Sequence, residues 1–314
     1  MADTSKILAT ISTSLSILGC IVIFIAHRFW KDLHSNSRNI LLYITIADLF
    51  TAMGYLFNLQ STWKDSCVFQ SFITTTSSMM SFFWTSCMAL YLHVVSINAN
   101  YELGKRIIFA FHCIAWPVPL LVTLIALLAH KLGEGCWNND WCWIKDLDCS
   151  DNLNSTSDPR YETVSWMLLT GKLWEILSYI LILIVYARIF MYVRRQRKLV
   201  EEQSNAMSVA RFRAVEMRTI SIPIFFICIR IWGTLQFFNY AFTGDSNEIA
   251  GIKYLHAFGD GAQGFVNAVL FCLIADKSKL IFLKCCRREQ NGERQSLLAE
   301  RRSVQNNPGS GNVI

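Results

Sequence analysis

Charged residues are missing from one unusually long stretch of this chain. Between Ser66 and Tyr101 no Asp, Glu, Lys or Arg occurs over 36 residues. A helix of a soluble protein rarely runs so far without charge, because one of its faces must meet water. The chain as a whole is 53% hydrophobic, which leaves too little polar surface for a soluble domain of 314 residues. These absences exclude a soluble globular fold and indicate a membrane protein.

Other features that the sequence lacks reduce the number of candidate functions. The histidines are scattered, so no cluster of His, Asp or Cys predicts a catalytic site, and we expect no enzyme activity. A retinal-binding pump or sensor needs a lysine deep in its last helix, but no lysine occurs between Lys253 and Lys277. No internal repeat of the kind found in many transporters is evident. A transporter or channel is therefore kept only as the alternative.

Seven long apolar stretches are what the sequence does contain. Each meets the requirement of about 20 predominantly apolar residues for a helix that crosses about 30 Å of hydrocarbon. In lipid the backbone polar groups must be satisfied within the segment, so each stretch is predicted to be a helix. The sequence thus predicts an all-α membrane protein, a bundle of seven transmembrane helices within residues 7–274. The predicted spans, one to seven, are Ile7–Ala26, Ile40–Gln60, Cys67–Ile97, Ile107–His130, Trp166–Tyr186, Thr219–Phe242 and Leu255–Ile274.

The distribution of Lys and Arg predicts which side of the membrane each loop occupies. If the N-terminus lies outside, the inner segments 28–39, 98–106, 188–218 and 275–314 hold 21 basic residues, and the outer segments hold 6. Positive residues favour the cytoplasmic side. We therefore expect residues 1–6 outside, the C-terminus inside, and span one to act as an uncleaved signal anchor. The net charge of +6 is attributed to these inner membrane borders, where anionic lipids attract it, and not to nucleic-acid binding.

The residues after span seven divide into two predicted segments. Residues 275–288 mix apolar and basic positions, a pattern typical of an interfacial helix beside membrane lipids. Cys285 and Cys286 in this segment are candidates for palmitoylation. The alternative is a pair of unmodified thiols beside a basic cluster. Residues 289–314 are polar, which predicts a disordered cytoplasmic tail.

Four cysteines fall on the predicted outer side, where disulfides form. They are Cys67, Cys136, Cys142 and Cys149, and no histidine of the outer loop accompanies them, which disfavours a metal site. Four cysteines allow three pairings. We favour Cys67–Cys142 with Cys136–Cys149, but Cys67–Cys136 is a competitor that spacing alone leaves open. Asn154, in the only Asn-x-Ser/Thr sequon, lies in the same outer loop and is a candidate glycosylation site.

Ionisable residues inside the spans mark a candidate site, because such residues are costly in a bilayer and usually face the bundle interior. Lys172 and Glu175 are three apart on span five, so they share a helix face and can pair. Arg230 lies near mid-depth of span six and Asp260 in the outer half of span seven. We expect these four in one polar cluster, with structural ion pairing, ligand contact and a lipid-facing role left open. Asp48, in the inner part of span two, is expected to be a hydrogen-bond hub away from that cluster.

Prolines within the spans predict bent helices. Pro117 and Pro119 fall in span four, and Pro223 falls in span six. Proline removes a backbone donor and kinks its helix, so we expect bends at both places.

Basic residues on the cytoplasmic side continue span five past the bilayer and lead into span six. They are expected to anchor these helices at the membrane border. A sharper hypothesis makes them a docking surface for a cytoplasmic partner. These candidate contacts are Arg194, Arg195, Arg197, Lys198, Arg211, Arg213 and Arg218.

Several local sequences resemble those of G-protein-coupled receptors. They are Ser81-Phe-Phe-Trp-Thr85, Trp141-Cys-Trp-Ile144, Leu168-Leu-Thr-Gly-Lys-Leu-Trp-Glu175, and Gln263-Gly264 followed by Leu270-Phe-Cys-Leu273. Taken together they are similar to the orphan G-protein-coupled receptor 157-like family, over most of the chain from span two to span seven. That family looks related to cyclic-AMP-receptor-like and secretin/adhesion-like receptors. Two rhodopsin-type hallmarks are missing: an acidic-arginine-aromatic triplet after span three and an Asn-Pro-x-x-Tyr run in span seven.

The resemblance implies a receptor that transduces an extracellular or membrane-borne stimulus to a heterotrimeric G protein. It leans toward G proteins that activate phospholipase C, and toward the ciliary part of the plasma membrane. It also implies the disulfide Cys67–Cys142, because both residues match the family's pattern. The candidate ligand-pocket residues are Lys172, Glu175, Arg230, Asp260 and Gln263, and the candidate core polar hub is Asp48 with Asn267.

Overall fold

The computed structural model describes residues 2–29, 36–60, 66–97, 101–134, 142–145, 159–203, 206–243 and 250–274, and these are almost entirely helical. Residues 1–269 form one compact unit; of the second unit, residues 270–314, the described part is the end of the last helix. A π-helical segment, Leu168–Lys172, joins α6 to α7. The α-helices are α1 Ala2–Phe29, α2 Asn36–Gln60, α3 Ser66–Ile97, α4 Tyr101–Ala115, α5 Pro117–Leu128, α6 Pro159–Met167, α7 Leu173–Gln203, α8 Ala206–Thr243, α9 Ala250–Gly261 and α10 Gln263–Ile274.

Every predicted span coincides with helical structure. Spans one, two, three and six correspond to α1, α2, α3 and α8, whereas span four is α4 with α5, span five is α6 to α7, and span seven is α9 with α10. Five stretches of the described residues are long and apolar enough to cross a membrane. They are Thr4–Phe29, Asn36–Phe57, Ser66–Val95, Glu102–Leu128 and Arg160–Gln196.

Three spans are interrupted, and only one of these interruptions was predicted. Span four breaks at Trp116, where Pro117 begins α5, as the prolines led us to expect. Span five contains the π-helical segment, and span seven has a turn at Ala262, whose N–H donates to the carbonyls of Phe258 and Gly259 at 3.0 and 3.2 Å. By contrast, α8 passes through Pro223 as one helix.

The core consists of apolar clusters between neighbouring helices. One joins α3, α7 and α8, where the Phe226 ring meets Phe82 at 6.3 Å and Tyr179 at 5.9 Å between ring centroids. Another joins α2, α3 and α4 around the fully buried Trp84. A third lies near the ends of α5 and α8 around Phe237. These contacts fix the relative positions of the helices that carry the polar residues described below.

Large apolar side chains also cover the outside of the molecule. Phe109, Leu128 and Phe242 are 76, 70 and 80% exposed. An aqueous surface would not tolerate so many exposed apolar groups, whereas lipid tails are a favourable surrounding for them. Burial and hydropathy therefore agree on a membrane-embedded bundle.

The chain after α5 forms a short antiparallel hairpin on top of α3. Its strands are β1, Leu132–Gly133, and β2, Trp143–Ile144, with Gly133 paired to Trp143. A disulfide joins Cys67 at the start of α3 to Cys142 beside β2, with the two Cα atoms 5.3 Å apart. The pairing implied by the resemblance is confirmed, and the Cys67–Cys136 alternative is wrong. Cys136, Cys149 and Asn154 lie outside the described residues.

Candidate ligand site

A cavity of about 70 Å³ lies beneath the hairpin, within the helix bundle. Its wall is formed by α2, α3, β2, the π-helical segment, α7, α8 and α9. Of the predicted ligand-pocket residues, Lys172, Glu175, Arg230 and Asp260 all line it, whereas Gln263 lies behind Arg230. The predicted polar cluster is therefore a single site. Lys172, Glu175 and Arg230 are buried and Asp260 is half-buried, and all four line the cavity, so a lipid-facing role does not fit them.

Lys172 and Glu175 form an internal ion pair at one side of the cavity. The Lys172 ammonium donates to Glu175 Oε2 at 2.7 Å, and the Tyr179 hydroxyl donates to Glu175 Oε1 at 2.6 Å. Both carboxylate oxygens of Glu175 are therefore occupied. Lys172 is the last residue of the π-helical segment, and its ammonium lies 5.9 Å from the Trp143 ring of the hairpin. π-helical turns are frequent at functional sites, and this one brings a lysine beneath the hairpin.

Arg230 is a second buried cation of the site. Its Nε donates to Gln263 Oε1 at 2.6 Å, and its Nη1 lies 3.8 Å from Asp260 Oδ1, too far for a hydrogen bond. The guanidinium stacks over Phe82, 4.8 Å from the ring centroid. Its Nη2 is buried and has no hydrogen-bond partner among the described residues. These contacts fix the position of Arg230, but the hydrogen-bonding capacity of its Nη2 is unused within the described residues.

His256 also belongs to the site, although no pattern in the sequence predicted it. Its Nδ1 lies 2.6 Å from Gln236 Oε1, and its Nε2 lies 3.1 Å from Asp260 Oδ2. His256 and Asp260 are four residues apart on α9, a spacing that puts two side chains on one helix face and could have pointed to the pair. A Cβ on Gly233 of α8 would lie 2.5 Å from His256 Nε2, so only glycine leaves room for the ring there.

Asp48 does not line the cavity, as expected, but hydrogen bonds connect it to the cluster. Ser81 donates to Asp48 Oδ1 at 2.7 Å, and Gln263 Nε2 approaches the Ser81 hydroxyl at 3.5 Å. Because Gln263 also accepts from Arg230, hydrogen bonds run from the cavity to the inner part of α2. Asn267 donates to Asp48 Oδ2 at 2.6 Å, as expected of a polar hub. The helices that carry Asp48, Ser81 and Gln263 are far apart in sequence, which concealed this connection.

The predicted cytoplasmic docking surface is described only in part. Arg194, Arg195 and Lys198 lie on α7 and are exposed. The side chains of Arg197, Arg211, Arg213 and Arg218 lie outside the described residues, as do Cys285 and Cys286. The exposed basic face of α7 is consistent with either membrane anchoring or partner binding.

Comparison with known proteins defines the class to which this bundle belongs. The chain belongs to the 7 transmembrane receptor (rhodopsin family), whose family model matches residues 19–257. It is similar to the mouse protein named G-protein coupled receptor 157, with 31% identity over 88% of this chain and 84% of that protein. The human protein of the same name is 30% identical over 90% of this chain and 85% of its own length. Cyclic AMP receptor-like protein A of Dictyostelium discoideum is 27% identical over 43% of this chain and 35% of its own.

These matches confirm the resemblance to G-protein-coupled receptors. The family is one of multi-pass membrane receptors and not an enzyme class. The rhodopsin-family match holds although two rhodopsin-type hallmarks are missing from the sequence.

Proposed function

We propose that this chain transmits an extracellular or membrane-borne stimulus, bound in the cavity beneath the hairpin, to a heterotrimeric G protein. The single observation that carries the proposal is the hydrogen-bonded connection from Arg230 in the cavity wall to Asp48 and Asn267 deeper in the bundle. The outside N-terminus predicted from the basic residues directs the hairpin to the exterior. A stimulus from outside would then meet the cavity first.

The packing around Arg230 supports a route from cavity to cytoplasm. Phe226 lies one helical turn from Arg230 on α8 and packs between Phe82 of α3 and Tyr179 of α7. Tyr179 is in turn bonded to Glu175 in the cavity wall. A ligand that rearranges Arg230 and Glu175 would therefore alter how α8 packs against α3 and α7. The inner end of α7 carries the exposed basic residues Arg194 and Arg195.

The stimulus must favour one arrangement of these helices over the other. A ligand that binds both arrangements equally shifts nothing, however tightly it binds. Moving a receptor from 1% to 99% active requires about a 10⁴-fold preference for the active arrangement. Buried charged groups can supply such a preference, because a charge-assisted hydrogen bond in a buried site is strong.

The proposed location of the receptor is the plasma membrane, and within it the ciliary membrane is favoured. The proposed partner is a G protein of the phospholipase-activating class. The relatives named G-protein coupled receptor 157 support the coupling but carry no subtype in their name. The basic face of α7 provides a surface for an acidic partner segment.

A panel of G-protein biosensors in cells expressing the chain tests the proposal. We expect activation of one subtype, and its loss when Arg194, Arg195, Arg197 and Lys198 are replaced by alanine at matched surface expression. A control variant has alanine at Lys6 and Lys64, which are basic residues of the predicted outer side, and it should signal normally. Loss of signalling in both variants would contradict the assigned docking surface. Silence across the panel, with substrate uptake into vesicles, would favour the seven-helix transporter or channel.

A further inference from the structure

Hydrogen-bond donors exceed acceptors around the cavity. A lysine ammonium has three N–H donors, and that of Lys172 makes one hydrogen bond within the described residues, to Glu175. Arg230 Nη2 is a second donor without a partner there. The carboxylates have fewer unused groups: Glu175 accepts from Lys172 and Tyr179 through both oxygens, and only Oδ1 of Asp260 has no hydrogen bond within the described residues. A ligand that complements this wall must bring acceptor oxygens.

The buried cations of the wall are the groups that such a ligand would meet. Lys172 and Arg230 line the cavity together with the carboxylates Glu175 and Asp260. Arg230 is 3% exposed and Lys172 is 8% exposed, so water has little access to their unused N–H groups. A buried donor without an acceptor is costly, and an acceptor atom of a ligand would remove that cost.

Asp48 does not provide an acceptor for the unused donors at the cavity. It does not line the cavity, and its oxygens accept hydrogen bonds from Ser81 and Asn267. Ser81 and Gln263 separate it from Arg230. The unused N–H groups of Lys172 and Arg230 therefore remain for a ligand, and a carboxylate has two acceptor oxygens that form charge-assisted hydrogen bonds with such groups.

The size and the remaining lining limit what the anion can be. The cavity volume of about 70 Å³ is roughly half that of the cavity of about 150 Å³ that holds a benzene molecule in another protein. Only a few non-hydrogen atoms fit. Met79, Phe82 and Trp143 contribute apolar surface beside the charged groups. An organic acid with a short alkyl chain matches both properties, whereas a large anion exceeds the volume and a small inorganic anion has no apolar group to meet this lining.

We propose that the cavity binds a small monocarboxylate whose carboxylate accepts hydrogen bonds from Arg230 and Lys172 and whose alkyl group packs on Met79 and Phe82. The inference rests on the proposed function, since it names the ligand class of the same site. Guanidinium and carboxylate form paired, charge-assisted hydrogen bonds, which gives the site its preference for a carboxylate over a neutral amide.

Thermal unfolding of the purified full chain in nanodiscs tests the proposal with propionate as the probe. Sodium propionate should raise the unfolding midpoint in a concentration-dependent way. Propionamide, which has nearly the same shape without the charge, and sodium chloride at equal ionic strength should not. Arg230→Gln should weaken the propionate effect about 10- to 100-fold, as expected for the loss of a hydrogen bond between charged groups. Arg188→Gln, the same substitution at an exposed arginine of α7, should leave it unchanged.

Each outcome decides the inference. An equal midpoint shift from propionamide, or an unaltered propionate effect in Arg230→Gln, overturns it. If Arg230→Gln does not fold, Lys172→Gln serves as the second variant, with the same expected loss. A midpoint shift without any G-protein activation by propionate would support the carboxylate site and contradict the proposed function. Ligand-free G-protein activation by the chain, with no midpoint shift from propionate, would support the proposed function and contradict the carboxylate site.

Discussion

Gly259 permits the closest approach between α8 and α9, and its replacement by alanine is the sharpest test of this packing. A Cβ at residue 259 would lie 2.1 Å from the backbone carbonyl oxygen of Ile229. The obstacle is backbone, so the strain can be relieved only by moving the helices apart by about 1 Å or more. Arg230 and Asp260 are the adjacent residues in the chain. The substitution should therefore disturb both stability and the central ion pair of the cavity.

The magnitude follows from two opposing effects. Alanine in a helix is normally more stable than glycine by roughly 0.5–1 kcal/mol. Overpacking costs about 1–3 kcal/mol. Gly251 provides the control because it lies on the same helix, and a Cβ there meets nothing within 4 Å. We expect Gly251→Ala to be neutral or stabilising, and Gly259→Ala to be less stable than Gly251→Ala by about 1–3 kcal/mol.

Thermal unfolding of the two purified variants, followed side by side in one detergent, measures this difference. At about 2–4 °C per kcal/mol for a chain of this size class, the midpoints should differ by about 2–12 °C. Gly259→Ala should also lose part of its G-protein response, because Arg230 moves relative to Asp260. Equal midpoints for the two variants would contradict the close contact between α8 and α9 at Gly259.

Two further predictions concern the hairpin and the connection to the inner core. Cys142→Ser should lower the free energy of unfolding by about 2–4 kcal/mol in thermal or denaturant unfolding, whereas Cys113→Ser, at an exposed free cysteine, should change little. Ser81→Ala removes a donor from the buried Asp48 and should reduce G-protein activation in the biosensor assay at unchanged surface expression. Ser14→Ala, whose exposed hydroxyl bonds only within α1, is its control; an equal loss there would contradict the connection.

The transmembrane architecture was predictable because it depends on length and composition alone. Each apolar stretch, such as the charge-free one that became α3, is long enough to span the bilayer and has no alternative to a helix in lipid. The break in span four was predictable for a similar reason. Pro117 lacks a backbone donor, and α5 begins at that residue. These features are local, so one segment of sequence determines each of them.

The site was predictable in its charged members but not in their connections. A charged side chain inside a membrane is energetically costly, so charged residues within the predicted spans are easily recognised in the sequence. The structure does bring together Lys172, Glu175, Arg230 and Asp260. Neutral polar residues carry no such signal. Ser81 joins Asp48 to Gln263 only because α2, α3 and α10 pack together, which no local pattern reveals.

The irregular helices were also beyond prediction. The π-helical segment before Leu173 contains no proline, and its one glycine, Gly171, lies against the Trp143 ring of the hairpin. A Cβ there would lie 2.9 Å from that ring. The glycine is therefore explained by a tertiary contact, and the same contact positions Lys172 under the hairpin. Hydrophobic periodicity and helix propensity describe local sequence, so they do not predict a π-helical segment that depends on a contact with distant residues.

Nucleotide exchange on a purified heterotrimeric G protein tests the central claim most directly. The purified chain in nanodiscs is mixed with the heterotrimer selected by the biosensor panel, and GDP release is measured with and without propionate. The account predicts faster release than with empty nanodiscs, and no acceleration by the variant with alanine at Arg194, Arg195, Arg197 and Lys198. Release at the rate of empty nanodiscs, or full acceleration by that variant, would contradict it.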